Sequence, residues 1–422
     1  MDFSPSPRAQ QWHARLAAFM DRYLLPYNAA WHQAAQQGNY PPPFLQDLKQ
    51  LAKEEGLWNL FLPDLRPDEP GTALSHLDYA PLAEHMGRLP WAAEVFNCNA
   101  PDSGNMELLH RFASEAQRQH WLMPLLRGEI RSAFAMSEPD VASSDPTNLQ
   151  TTVRQDGDGL VLNGRKWFIT GAAHPHCRLL IVMARNEGDA ADAHHRHSLV
   201  LVPMDTPGVQ VVRNIPVVHH LAPDGHCEIL LRQVHVPRAS LLGSWGEGFA
   251  MAQVRLGPGR VHHCMRTIGQ CELALALATE RTLERQMHGR LLAEQSNVQD
   301  WLAESRIEIE QARLWYQPHL ERMHEDFVTR NADLTVEEEE AVVEGVAGQV
   351  RGRVPHELLR LHQRHPATDQ VSRIRRAERV EVAEGELFER DGGLVGGEAD
   401  AGGSSSGGSS PHPPAALPAG MS

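Results

Sequence analysis

Cysteine is sparse in this 422-residue sequence and scattered: Cys98, Cys177, Cys227, Cys264 and Cys271 are odd in number and show no CxxC spacing. That excludes a disulfide framework or a thiolate zinc site as the organising device and predicts a reducing compartment, the cytoplasm first, with mitochondrion and peroxisome left open. No run of about 18 apolar residues occurs, so no membrane-spanning helix is expected. The first eight residues, MDFSPSPR, carry neither an apolar signal core nor an Arg-rich amphipathic transit pattern. Positive charge is in deficit, 39 Lys and Arg against 54 Asp and Glu. The resulting formal charge of −15 argues against a nucleic-acid partner and leaves only a local basic patch for a phosphorylated ligand.

What is present is enough apolar material, 41% of the chain, for two or three packed domains. Residues 1–130 read as an N-terminal helical domain. Apolar residues recur at three- and four-residue spacings over 11–25, 43–57, 103–110 and 114–126, and Ser114 with Gln117 has the form of a capping box. Residues 131–240 change to short β-rich runs punctuated by Asp156-Gly157-Asp158-Gly159, Asn163-Gly164 and Pro207-Gly208. Asn-Gly is a strong hairpin signal, and strands this short predict a small barrel or sandwich. The helical period returns from Phe249, with helices expected over 261–286 and 297–315 in a C-terminal helical domain spanning 241–316.

After Trp315 the pattern fades. Residues 317–422 hold no tryptophan, tyrosine or cysteine and only two phenylalanines, and they end in a Gly/Ser/Pro stretch. They read as an atypical, largely disordered tail, and the C-terminal bundle as incomplete. The abruptness of the change suggests replaced coding, such as a shifted reading frame.

Two stretches could carry chemistry. Ser132 to Asp145, SAFAMSEPDVASSD, leaves a strand for a loop of small hydroxyl residues whose free backbone N–H groups suit a ring edge or a phosphate. Read from the residues alone, an ordinary polar connection between the helical and β parts is the plainer explanation. In Asn163 to Thr170, NGRKWFIT, strand alternation would send Trp167 and Phe168 to opposite faces, where one ring could meet a planar cofactor or both could be core. The histidines at 194, 195 and 197, at 219–220 and at 262–263 read as solvated or incidental, and no metal site is expected. The glycines of 243–248 lack the strand-then-helix setting of a dinucleotide loop and read as a turn.

Taken together, Ala135-Met136-Ser137-Glu138-Pro139 through Ser143-Ser144-Asp145 and, some twenty residues on, Asn163-Gly164-Arg165-Lys166-Trp167-Phe168-Ile169-Thr170 resemble the two signatures of acyl-CoA dehydrogenases. Gly246-Glu247-Gly248-Phe249 and RQMHGRLL over 285–292 resemble two further motifs of that family. The resemblance covers roughly residues 10–316. Its details, including Arg260-Val261-His262-His263-Cys264-Met265-Arg266, are similar to the branch containing animal family members ten and eleven and bacterial relatives.

That resemblance implies a helical–β-barrel–helical fold, FAD as cofactor and α,β-dehydrogenation of fatty acyl-CoA thioesters, a step of fatty acid β-oxidation. It implies electron-transfer flavoprotein as acceptor and a homodimer or homotetramer. It places Phe134, Met136 and Ser137 along the isoalloxazine edge, and Ser144 near the flavin pyrophosphate and the acyl-CoA. Phe168 and Thr170 would flank the ring, Arg260 would face the acyl-CoA, and Arg285 would reach a neighbouring subunit's FAD diphosphate. His288 stands where the family usually has phenylalanine.

The family's catalytic base is not found. No stretch like A-D-G-P-D-E-V-H follows Trp315, the Q-V-H-G-x-x-G segment is missing, and Gly259 occupies the alternative position at which some relatives carry a glutamate. An FAD- and acyl-CoA-binding remnant lacking the base is therefore the second reading, and an oxidase or monooxygenase on the same fold a third.

Overall fold

Proline decides where the first helices stop being regular. The computed structural model of the chain describes residues 5–188 and 192–329. Helix α1 (Pro7–Phe19) starts at Ser6, whose hydroxyl accepts from the Ala9 N–H. The helix expected over 11–25 instead widens into a π turn at Met20–Leu24, just before Pro26. The one expected over 114–126 does the same. The capping box opens α7 (Glu115–Gln117), a π turn covers Arg118–Leu122, and α8 is Met123–Leu126. In both places the proline has no N–H for the carbonyl four residues back, which favours the wider turn. Between them lie α2 (Asn28–Gln36), α3 (Phe44–Glu54), α4 (His76–Gly87), α5 (Ala92–Val95) and α6 (Asp102–Phe112). Helix α4 has no counterpart in the sequence reading. Pro81 sits inside it, and His76, Tyr79, Ala80, Leu82, Ala83, Met86 and Gly87 are all buried, so it carries little polar–apolar alternation.

The β-domain is one eight-stranded sheet. Its strands are β1 (Arg131–Ala135), β2 (Thr152–Asp156), β3 (Gly159–Thr170), β4 (Cys177–Asn186), β5 (His197–Pro203), β6 (Val209–Asn214), β7 (His226–Pro237) and β8 (Leu241–Leu242). The order is β6-β7-β3-β2-β4-β5-β8, with β1 joining β4. Strands β1 and β2 run parallel to β4, and the other pairs are antiparallel. Strands β4 and β5 are buried on both faces. Leu179, Ile181, Met183, Leu199 and Leu201 pack with the helices, while Leu180, Val182, Ala184, Val200 and Val202 pack within the sheet domain, as their period of two requires.

Asn163-Gly164 is not a hairpin turn. Residues 159–170 form a single strand, and the turn is made at Gly157, where φ is +61°. Asn163-Gly164 is instead a bulge opposite β7, where the Asn163 side-chain Oδ1 accepts from the Gln233 backbone N–H at 2.8 Å. Glycine is needed there because a Cβ would stand 2.2 Å from Thr151 Oγ1.

Helix α9 (Gly248–Glu284) begins well before the expected residue 261 and takes Pro258 and Gly259 into its interior. After it come the small hairpin of β9 (Gln286–Met287) and β10 (Arg290–Leu291), then α10 (Ser296–Thr329). Helix α10 continues past the expected end at residue 315, and the rest of the anticipated tail, 330–422, lies outside the described residues. Helices α4 and α9 cross backbone to backbone: a Cβ on Gly269 would sit 1.7 Å from the Glu84 carbonyl oxygen, and one on Gly87 2.1 Å from that of Arg266. Arg313 of α10 bridges Glu84 of α4 and Glu272 of α9. All five cysteines are free thiols, and no described helix is long and apolar enough to cross a membrane.

Candidate functional site

The loop leaving β1 is held by a charge pair inside the protein. The Lys166 side chain on β3 is fully buried, and its ammonium donates to the carbonyls of Met136 (2.9 Å) and Met183 (2.7 Å) and to Glu138 Oε1 (2.8 Å). Glu138 also accepts from the backbone N–H groups of Gln150 (2.7 Å) and Thr151 (2.9 Å). Burial alone would raise its carboxyl, but Lys166 and these donors outweigh that and hold it below its usual range. Burial brings the Lys166 ammonium down to about 8 in spite of Glu138. Ser143 Oγ closes the loop by accepting from the Glu138 N–H at 2.9 Å.

This anchoring sets a rim. The Trp167 N–H donates to the Ser137 carbonyl at 3.0 Å, so the loop and the strand meet edge to edge. Phe168 then adopts φ +52°, a left-handed conformation costly for a bulky residue, at a register shift between Lys166 and Ile169. The bulge cancels simple alternation. The two rings lie 4.8 Å apart at 56°, and Phe168 remains 42% exposed. Backbone strain of this kind concentrates at functional sites, which makes the Phe168 ring a candidate contact for a ligand.

A second network supports the rim from the helical side. The Arg255 guanidinium of α9 lies 4.1 Å from the Phe134 ring centroid. Its Nε donates to Asn105 Oδ1 at 2.7 Å, and Asn105 Nδ2 donates to Ser132 Oγ at 2.9 Å. Asp102 accepts from the Ser132 N–H (2.7 Å) and hydroxyl (2.6 Å) and pairs with Arg131. Arg131 also binds Glu94 at 2.7 Å, as Lys49 does at 2.8 Å. Burial would raise the Glu94 carboxyl, but the two cations bring it down to about 2.

Among the residues singled out from sequence, Phe134, Met136, Ser137 and Phe168 belong to this rim. Thr170 is two residues further along β3, where its hydroxyl shares a hydrogen bond of 3.0 Å with His226 Nδ1. Ser144 is exposed beside the Ser143 clasp, and Arg260 is exposed on α9, five residues past Arg255. Arg285 is not brought to the rim. It caps the far end of α9, thirty residues beyond Arg255 and so up to about 45 Å away along the helix. At Gly259 a Cβ would meet nothing within 4 Å. Lys166, Arg255 and Asn105 escaped the sequence reading. Lys166 immediately before Trp167-Phe168-Ile169 in a strand, with Glu138 in the preceding motif, was the available signal. His194 packs on Phe249, with ring centroids 4.7 Å apart, and His195 bonds Asp192 at 2.8 Å.

Comparison with known proteins identifies the three blocks. Residues 6–129, 133–234 and 246–341 match in turn the N-terminal, middle and C-terminal domains of acyl-CoA dehydrogenases. The sequence is 51% identical over 319 residues to FadE2 of Mycobacterium tuberculosis, an acyl-CoA dehydrogenase by name, covering 74% of this chain and 77% of that protein. It is 44% identical over 321 residues to acyl-CoA dehydrogenase family member 11 of Mus musculus, covering 74% of this chain but only 40% of that longer relative. A solved structure from Mycobacterium abscessus, described as an acyl-CoA dehydrogenase, is 43% identical, with a TM-score of 0.71 over 82% of this chain and 87% of that one. Butyryl-CoA dehydrogenase from Megasphaera elsdenii, 23% identical with a TM-score of 0.65 over 84% of this chain and 90% of its own, shares the fold.

Proposed function

The chain belongs to the acyl-CoA dehydrogenase family, oxidoreductases acting on CH–CH groups, and from that premise we propose that it binds FAD on the rim and desaturates fatty acyl-CoA thioesters between Cα and Cβ. The observation that carries the reading is the exposed, strained Phe168 beside Trp167, set against the Met136–Ser137 edge by the buried Lys166–Glu138 pair. Aromatic faces, a thioether and hydroxyls along one edge fit a large planar heterocycle, and two solved structures of the fold relative PigA carry FAD by title. Bound there, FAD would supply the acceptor for the substrate's β-hydrogen as hydride.

The chain's own residues do the orienting. Phe134, Met136 and Ser137 line the isoalloxazine edge, Phe168 and Thr170 flank the ring, and Ser144 serves the pyrophosphate and the acyl-CoA. Arg260 faces the thioester ligand. Arg285, too far from its own rim, fits the FAD diphosphate of a second copy, which makes the working unit a homodimer or homotetramer. Electron-transfer flavoprotein is the proposed acceptor. The reaction also needs a carboxylate to take the α-proton in a dry pocket, and no described residue is assigned to it.

That gap supports the second reading, an FAD- and acyl-CoA-binding protein without catalysis: Gly259 leaves open space where some relatives carry the base. The visible spectrum of the purified protein, followed by addition of an acyl-CoA panel, separates the cases. Flavin bands that bleach support the dehydrogenase. Bands that persist support the binding protein, and peroxide release points to an oxidase. A colourless protein that takes up no added FAD removes the rim as a flavin seat.

A further inference from the structure

Three helices from distant parts of the chain bring a different set of polar groups together: His76 at the start of α4, Glu107 on α6 and His262 on α9. One ligand atom from each lies within 4.8 Å of the others, and among the described residues this is the one such group of three. Their relative exposures are 3%, 9% and 2%. Both carboxylate oxygens of Glu107 and Nε2 of His262 lack a hydrogen-bond partner. Leaving a buried carboxylate without donors is costly, and only the charges of Arg255 and Arg111 act to hold it ionised. Arg255 is near enough to act on Glu107 electrostatically, but its N–H groups go to Asn105 and to the Pro101 carbonyl.

From this geometry we infer that His76, Glu107 and His262 form a binding site for one divalent transition-metal ion of the zinc class. Two imidazoles and one carboxylate are the donors that such ions take, whereas calcium and magnesium prefer oxygen alone. Around a tetrahedral ion with bonds of about 2.1 Å the ligand atoms stand about 3.4 Å apart, so the observed spacing closes with small side-chain rotations. The His262 ring is held against Phe61, Tyr79 and His76 at centroid distances of 6.2, 5.3 and 6.4 Å. The glycine crossing of α4 and α9 keeps the supporting backbones in contact. An ion there clamps α4 and α6 of the N-terminal domain to α9. The inference does not depend on flavin binding or on the missing base.

The full chain, stripped with a chelator and dialysed, is titrated with Co2+. One equivalent should bind with the visible bands of a four- or five-coordinate nitrogen–oxygen site, and Zn2+ should displace it. Glu107→Gln and His262→Gln should each weaken Co2+ binding by more than about 100-fold, beyond the usual cost of losing an outer-shell partner, while His194→Gln leaves it unchanged. Should a variant fail to fold, X-ray absorption on the native zinc-loaded chain still decides, with two imidazoles and an oxygen expected. Absence of stoichiometric Co2+ binding, equal binding by the folded variants, or sulfur in the native zinc shell would each overturn the site.

Discussion

Glu138 and Glu107 are both buried carboxylates, yet their surroundings drive them in opposite directions. Glu138 has Lys166 and two backbone N–H donors and is held below its usual range. Glu107 has no donor, and desolvation pushes it up to about 8. Desolvation raises both; in Glu138 the Lys166 charge and the donors outweigh it, and in Glu107 the charges of Arg255 and Arg111 do not. The first carboxylate is a finished internal clasp whose work is to aim the rim. The second has the chemistry of a group awaiting a ligand.

Breaking the clasp should have the largest effect. Lys166→Met leaves Glu138 buried beside an apolar chain, and chemical denaturation should show a loss of about 3–5 kcal/mol. Glu107→Gln, made in metal-free protein, removes no hydrogen bond and should change stability by less than about 1 kcal/mol. Similar losses for the two variants would erase the distinction.

Acid should reach a fully paired carboxylate in the same sense. Glu94 is depressed from 4.5 to about 2 by Lys49 and Arg131 against its own desolvation. Its contribution is therefore present above about pH 4.5 and lost as pH falls toward 2, a loss of about 3 kcal/mol. Unfolding free energies measured across that window should decline, and Glu94→Gln should flatten the decline.

The helix crossing beneath the two-histidine cluster comes next. Gly269→Ala drives a methyl into the Glu84 carbonyl and should cost about 2 kcal/mol, read as a lowered Tm, with a parallel loss of Co2+ affinity. Unchanged affinity would separate the crossing from the site.

Gly259→Glu should have the smallest energetic effect. Nothing lies within 4 Å of the new Cβ, and relieving a helical glycine should add up to about 1 kcal/mol. In the FAD-loaded protein this variant should bleach with acyl-CoA at least about tenfold faster than the parent, since the added carboxylate supplies a base. No acceleration would mean that this position does not face the thioester.

Much of the β-domain and its motifs was legible. Period-two runs and glycine turns mark the strands, and the two signatures contain Met136, Ser137 and Phe168, with Phe134 just before the first. Helix α4 was not, because a helix buried on nearly every side carries little amphipathic period to read. The Asn163-Gly164 bulge was misread as a turn, since the same dipeptide serves both and only the Thr151 contact distinguishes them. The helical period was read from Phe249, but its continuity with the helix expected from 261 was missed because Gly257, Pro258 and Gly259 are poor helix formers that packing has overridden.

The sequence by itself determined the three-block order and the family, because those reside in local periodicity and in motifs short enough to be read along the chain. Only the tertiary structure decided that Lys166 closes on Glu138, that Arg255 reaches Phe134, and that His76, Glu107 and His262 converge from three helices. Each of these is a contact between residues far apart in the chain, and its energy exists only once burial has removed the competing water.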